Sequence, residues 1–240
     1  MKTNAANARR SNFFVIMGFV GLAAILIGFS KPFLIPVAHR TFEAPASIYV
    51  HGFLSLAWVF WFTLQSGLIA KKNYKTHMRL GIAGAIIAVA AALSLIPVAK
   101  FVMARDLQNG LGDTAYSTSV GLLTTGSVFI ALVGAGMYYR KKSAIHKRLM
   151  LLATIVLLWP AWFRFRHFFP GVPRPDIWFG LVLSDSLIVV AWIWDKWKNK
   201  SVHPSWFYTG IALMVEQTFE VFMFDSATWR TVGRLIYSWL

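Results

Sequence analysis

Cysteine is absent from the 240 residues, which excludes disulfides, thiolate metal sites and covalent haem attachment. Any metal has to be held by His, Asp or Glu. Acidic residues are scarce as well, nine against 24 Lys and Arg, for a net charge of +15. Charged residues make up only 14% of the chain and hydrophobic ones 57%, against about 25% and about 45–50% in soluble domains. The basic residues fall in short loops between apolar runs, which is the pattern of membrane topology and not of a nucleic-acid-binding face. The phosphate-binding glycine fingerprint is missing too, because no strand precedes any glycine run. Gly81-x-x-Gly84-Ala85, Gly121, Gly126 and Gly134-Ala-Gly136 instead suit close helix packing. No nucleophile motif argues for an enzyme.

What is present is a turn used three times. Lys71-Lys-Asn-Tyr-Lys-Thr-His77, Arg140-Lys-Lys-Ser-Ala-Ile-His146 and Trp197-Lys-Asn-Lys-Ser-Val-His203 each place a histidine six residues after the first residue of a basic loop flanked by apolar runs. The first two continue as His77-Met-Arg-Leu and His146-Lys-Arg-Leu. A unit repeated in this way predicts three helical hairpins in a membrane.

Apolar runs at about 13–29, 49–70, 78–103, 116–139, 149–169, 177–194 and 205–224 are each near the roughly 20 residues that cross a bilayer as a helix. The fold class expected is therefore all-α, a single transmembrane domain over residues 1–240 with seven spans. The first run, after Lys2, Arg9 and Arg10, has the outline of a signal peptide but no small-residue cleavage site, and is expected to stay as a span. Residues 226–240 are too short and too charged for an eighth. Asp225 or Ser226 can cap a helix in which Trp229, Val232, Ile236 and Trp239 recur opposite Arg230 and Arg234, as in an interfacial helix.

Alternate loops give the orientation. Lys2, Arg9 and Arg10, four basic residues in 71–79, five in 140–148 and three in 196–200 put 15 of the 24 on one side, with Asp195 as the only acid there. The positive-inside rule then places the N-terminus in the cytoplasm and the C-terminus outside, in a bacterial inner membrane. Tyr and Trp near run ends, such as Tyr138, Tyr139 and Trp197, suit the two interfaces.

Candidate chemistry lies in two places. His77, His146 and His203 share the cytoplasmic end, where three imidazoles could hold a metal. Neighbouring Lys and Arg raise the cost of a divalent cation and favour an interfacial role beside anionic lipid phosphates. In the outer half, His51, Ser55, Trp58, Phe62 and Gln65 step by four and three residues along one helix face. Arg164, Arg166 and His167 end the fifth run, Asp185 lies about 12 Å below the outer surface, and Glu216 and Glu220 sit one turn apart on the seventh. Ionisable groups at such depth pair with one another or mark a site. Three readings follow. His51, Trp58, Gln65, Arg164, Asp185, Glu216 and Glu220 line a pocket for a small ligand or proton; His51, His167, Glu216 and Glu220 hold a metal; or Arg164 is ion-paired with Asp185 or Glu216 inside a structural or accessory subunit of a membrane complex. His51 and His167, at similar height among aromatics, could also ligate a b-type haem.

His51-Gly52…Trp58…Gln65, His77-Met-Arg-Leu-Gly81 and His146-Lys-Arg-Leu-Met150 together resemble an uncharacterised family of bacterial multi-spanning inner-membrane proteins over residues 49–205. The resemblance implies membrane location and no activity. Seven spans with a cytoplasmic N-terminus are also similar to the haemolysin III and adiponectin-receptor class, but the H-x-x-x-H pairs of that class are missing here and its zinc site is not carried over.

Overall fold

The computed structural model describes residues 12–240, and the basic segment with Lys2, Arg9 and Arg10 lies outside them. Helix α1 spans Phe13–Gly28 and bends by 50° into a π turn, Ser30–Leu34, followed by the short α2, Ile35–Ala38. Pro32 and Pro36 lack the N–H donors a straight helix would need there. Helix α3 is Ala46–Ala70. Helices α4, Tyr74–Leu93, and α5, Leu95–Gln108, run on as one apolar stretch of 35 residues interrupted at Ser94. Pro97 explains the interruption, since it cannot donate to the carbonyl four residues earlier. At a rise of 1.5 Å per residue this stretch is about 50 Å long, well beyond the hydrocarbon core that the expected 78–103 segment would just cross.

Helix α6 is Thr114–Tyr138, and α7 is Ser143–Phe163, extended by a 3₁₀ turn at Arg164–His167. A π-helical stretch, Asp176–Leu183, leads into α8, Ser184–Asn199; α9 is Pro204–Met223 and α10 is Ala227–Trp239. Among the described residues there is no strand. Among the described residues five helices are long and apolar enough to cross a membrane, and six if the bent α1–α2 pair counts as one span. The expected seventh run is helical, but Glu216, Gln217 and Glu220 dilute it, and α9 is not among the helices that pass.

Helix α7 is the axis of the bundle. In its most apolar stretch 61% of residues are buried, against 22–39% in the other candidate spans. Leu151, Leu152, Ile155 and Leu158 meet Val59 of α3, Phe129 of α6, and Ile188 and Trp206 of α8 and α9 in one core.

The three repeated loops do join helix pairs, α3 with α4, α6 with α7 and α8 with α9. The His77 and His146 rings stand 6.3 Å apart, and Trp206 Nε1 donates to the Arg148 carbonyl at 3.2 Å, so all three loops share one end of the bundle. Helices α4 and α7 begin four and six residues before the expected spans. The H-x-R-L segments are therefore first turns of helices and not loop, and Arg148 is buried within the bundle.

Helix α10 crosses the opposite end of α6. Its Gly233 comes so close to the Tyr116 carbonyl that a Cβ would stand 2.2 Å from that oxygen. Trp229 is buried edge-on against Phe219, and Arg234 is ion-paired with Asp113. Asp225 accepts from Nε and Nη2 of Arg230, both at 2.7 Å. Arg230, then the Thr114 and Ser117 side chains, hold the Asp225 carboxyl below its ordinary value. A depressed folded value means that this stabilisation is present above the usual aspartate range, about pH 3.9, and is lost as pH falls through the lower folded value. The protection factors of the α10 amides, with the intrinsic pH dependence of exchange divided out, are accordingly expected to stay level from pH 8 to about pH 4 and to fall only below it. A fall in protection between pH 7 and pH 5 would contradict this docking.

Candidate functional site

The inward face of α3 meets polar partners at three depths. His51 Nδ1 lies 2.8 Å from Ser94 Oγ, at the break between α4 and α5, and Ser55 Oγ lies 3.4 Å from Nε2. Ser94 gives its own hydrogen to the Ala91 carbonyl at 2.7 Å, so it accepts from His51, and Nδ1 is the protonated nitrogen. One level down, Trp58 Nε1 donates to Thr154 Oγ1 at 3.2 Å. Deeper still, both side-chain polar atoms of Gln65 are buried without a partner. The periodic face expected on this helix does look into the protein.

The charged residues expected beside it divide into two groups that do not meet. Arg164 is not ion-paired with Asp185 or Glu216, which corrects that expectation. Its Nη1 donates back to the Pro160 carbonyl at 2.8 Å, and its guanidinium lies 4.1 Å over the Phe29 ring. The tight 3₁₀ turn after α7 points the side chain toward α1 instead of across to α8 and α9. Arg166 similarly folds onto the Phe163 carbonyl and ring. His167 is exposed, and its carbonyl accepts from Lys31 Nζ at 3.1 Å. With both nitrogens of His51 facing serine hydroxyls, that side of the expected bis-histidine haem pair has no free nitrogen. Among the described residues no three His, Asp or Glu side chains converge as metal ligands, so His51, His167, Glu216 and Glu220 do not come together as a metal set.

The second group is acidic. Asp185, 7% exposed, sits in the first turn of α8, where the π-helical stretch ends. Its Oδ1 and the hydroxyl of Ser184 are buried without partners. On α9 Glu216 and Glu220 stand one helical turn apart, both half-buried. The Thr124 hydroxyl of α6 donates to Glu220 Oε1. Asp185 lies within electrostatic range of Glu216. Gln217 is buried with both amide atoms unpartnered. The ion pairs among the described residues are Arg105–Asp106, Arg148–Asp195, Arg174–Asp176, Arg230–Asp225 and Arg234–Asp113. None neutralises these three carboxyls. Thr124, Ser184 and Gln217 escaped the sequence reading, because neutral polar residues in a helix can bond their own backbone.

At the loop end, the third repeated histidine does not join the other two. His146 Nδ1 lies 2.8 Å from the Gly136 carbonyl and so is the protonated nitrogen there. His203 instead caps α9: its Nδ1 accepts from the Ser205 N–H at 3.2 Å, and its own N–H donates to Asp195 Oδ2 at 2.7 Å. Burial, then the Arg148 charge, hold His203 below the ordinary histidine value, as an accepting cap needs. The Arg148–Asp195 pair, 2.5 Å apart with side chains 4% and 1% exposed, was hidden in the sequence by the basic residues around it. No family model matches this chain, and neither does any curated protein or solved structure.

Proposed function

We propose that this protein is a seven-span helical protein of a bacterial inner membrane, N-terminus inside, whose carboxyl cluster of Asp185, Glu216 and Glu220 takes up and releases a proton in a transport-like or sensing role. Helix α9 is its seventh span, and the residues that make α9 less apolar are the ones that carry the function. The observation that supports this most is the placement of Glu216 and Glu220 one turn apart on α9, with no ion pair among the described residues reaching either. A structural ion pair would neutralise such residues, and an exchangeable proton is what a pair of facing carboxyls can hold. The π-helical entry to Asp185 fits the reading, since π turns frequently occur at functional sites. His77 and His146 lie near the lipid interface of the inner leaflet, and α10 lies at the outer one.

Proton flux in proteoliposomes under an imposed pH gradient tests the transport form. Wild-type protein is expected to conduct protons above protein-free vesicles, and Glu220→Gln to lower the flux at least tenfold. Equal flux in both would overturn it. A second reading, an accessory subunit, draws on the apolar groove of about 610 Å³ beside α9, lined by Trp192, Met214, Phe219 and Phe222 among others. It predicts a stoichiometric partner that copurifies with the protein and is lost on Phe222→Ser.

A further inference from the structure

At the loop end, α7, α8 and α9 enclose a cleft of about 300 Å³ lined by Lys147, Arg148, Asn199, Ser201 and His203, with Asp195 at its base. That volume is at the small end of ligand sites, which run from about 300 to 1,000 Å³. The chemistry of its walls is one-sided. Asp195 is the only carboxylate in the lining, and it is fully engaged: Oδ1 accepts from Arg148 Nη2 and Asn199 Nδ2, both at 2.5 Å, and Oδ2 accepts from the His203 N–H. Its charge is cancelled by Arg148. What remains to face a ligand is a set of donors. They are the Lys147 ammonium, the Ser201 hydroxyl, the second amide hydrogen of Asn199 and His203 Nε2, which must carry the ring proton because Nδ1 accepts from Ser205. Arg148 adds Nε, which is buried and has no partner in a residue only 3% exposed. The Lys147 stem lies along the bundle, with Nζ 5.5 Å from the Phe14 ring. A pocket with one uncompensated cation and four further donors is complementary to an anion with several acceptor oxygens.

The level of the cleft identifies the source of that anion. Trp197 and Tyr138, 76% and 78% exposed, stand on the last turns of α8 and α6 at this end, and exposed Trp and Tyr mark the headgroup layer of a membrane protein. Basic pockets between helices at that level suit phosphorylated lipid headgroups. We infer that this cleft binds the phosphate of an anionic phospholipid in the inner leaflet. The inference is independent of the outer carboxyls and rests on the reading of these helices as spans with the repeated loops on the cytoplasmic side.

Native mass spectrometry of the detergent-purified full chain, with phosphatidylglycerol or phosphatidylcholine added, tests it. One phosphatidylglycerol per chain is expected to be retained, at least tenfold in preference to phosphatidylcholine. Lys147→Ala is expected to abolish that preference, and so is Ser201→Asp, an exposed loop change that leaves the Arg148–Asp195 pair intact. Lys72→Ala, a basic residue on a different loop, should leave it unchanged. Three results would overturn the assignment: equal retention of the two lipids, full retention in both cleft variants, or displacement of the lipid by millimolar inorganic phosphate, which would make the site one for free phosphate.

Discussion

Replacing Asp195 by leucine is expected to lower the stability of the folded protein by about 3–5 kcal/mol, the usual consequence of removing one partner from a buried ion pair. The variant leaves the Arg148 guanidinium, with its side chain 4% exposed, uncompensated inside the bundle. It also strips the acceptor from the Asn199 amide and from the His203 N–H that starts α9. Arg148 cannot swing out to water. Its Nη1 is held by the Ala144 carbonyl at 2.7 Å, its guanidinium lies 5.0 Å from the Trp206 ring, and its carbonyl accepts the Trp206 indole. Adding Arg148→Met to Asp195→Leu should recover most of the loss, since the penalty belongs to the unpaired charge and not to the missing attraction. Arg105→Ala provides the contrast, because the Arg105 side chain of that pair is 51% exposed and about 0–1 kcal/mol is expected. Denaturant titration in detergent reads all three variants. A single Asp195→Leu change within about 0.5 kcal/mol of wild type would contradict the burial of this pair.

The second large effect is expected at Gly28→Ala. A Cβ there would stand 2.3 Å from the Ala161 carbonyl oxygen and 3.0 Å from its carbon, and backbone cannot yield as a flexible side chain does. Helix α1 has to move off α7 just before its 50° bend, at a cost of about 1–3 kcal/mol. The shift also pulls Phe29 from beneath the Arg164 guanidinium, 4.1 Å away. Gly134→Ala, where nothing lies within 4 Å, should be neutral. Matching unfolding midpoints for the two alanine variants would count against this close approach.

Most of the helical frame was legible because its signals are additive: long apolar runs, Pro and Gly at breaks, and a basic turn repeated at constant spacing. Two local features were not. Pro97 and the Pro32–Pro36 pair mark where helices break, but the bend angle and the run to Gln108 depend on packing against α3 and α6. The polar face of α3 was legible because His51, Trp58 and Gln65 recur at helical period, and Asp185, Glu216 and Glu220 because ionisable residues are rare in apolar runs. Pairing was not legible, since it depends on side-chain direction. Arg164 shares with three carboxyls the half of the bundle opposite the repeated loops yet turns to Phe29, while Arg148, counted among loop cations, is buried against Asp195. One signal was there to be used: Asp195 is the only acid among 15 basic residues on its side, and a lone acid in such company is a natural ion-pair partner.

Infrared spectroscopy of the purified protein tests the shared proton most directly. At neutral pH the carbonyl stretch of a single protonated carboxyl is expected, shifting in heavy water and vanishing in Glu220→Gln, while Asp225→Asn leaves it in place. A spectrum in which every carboxyl is ionised at neutral pH, or a band that survives in Glu220→Gln, would contradict the account.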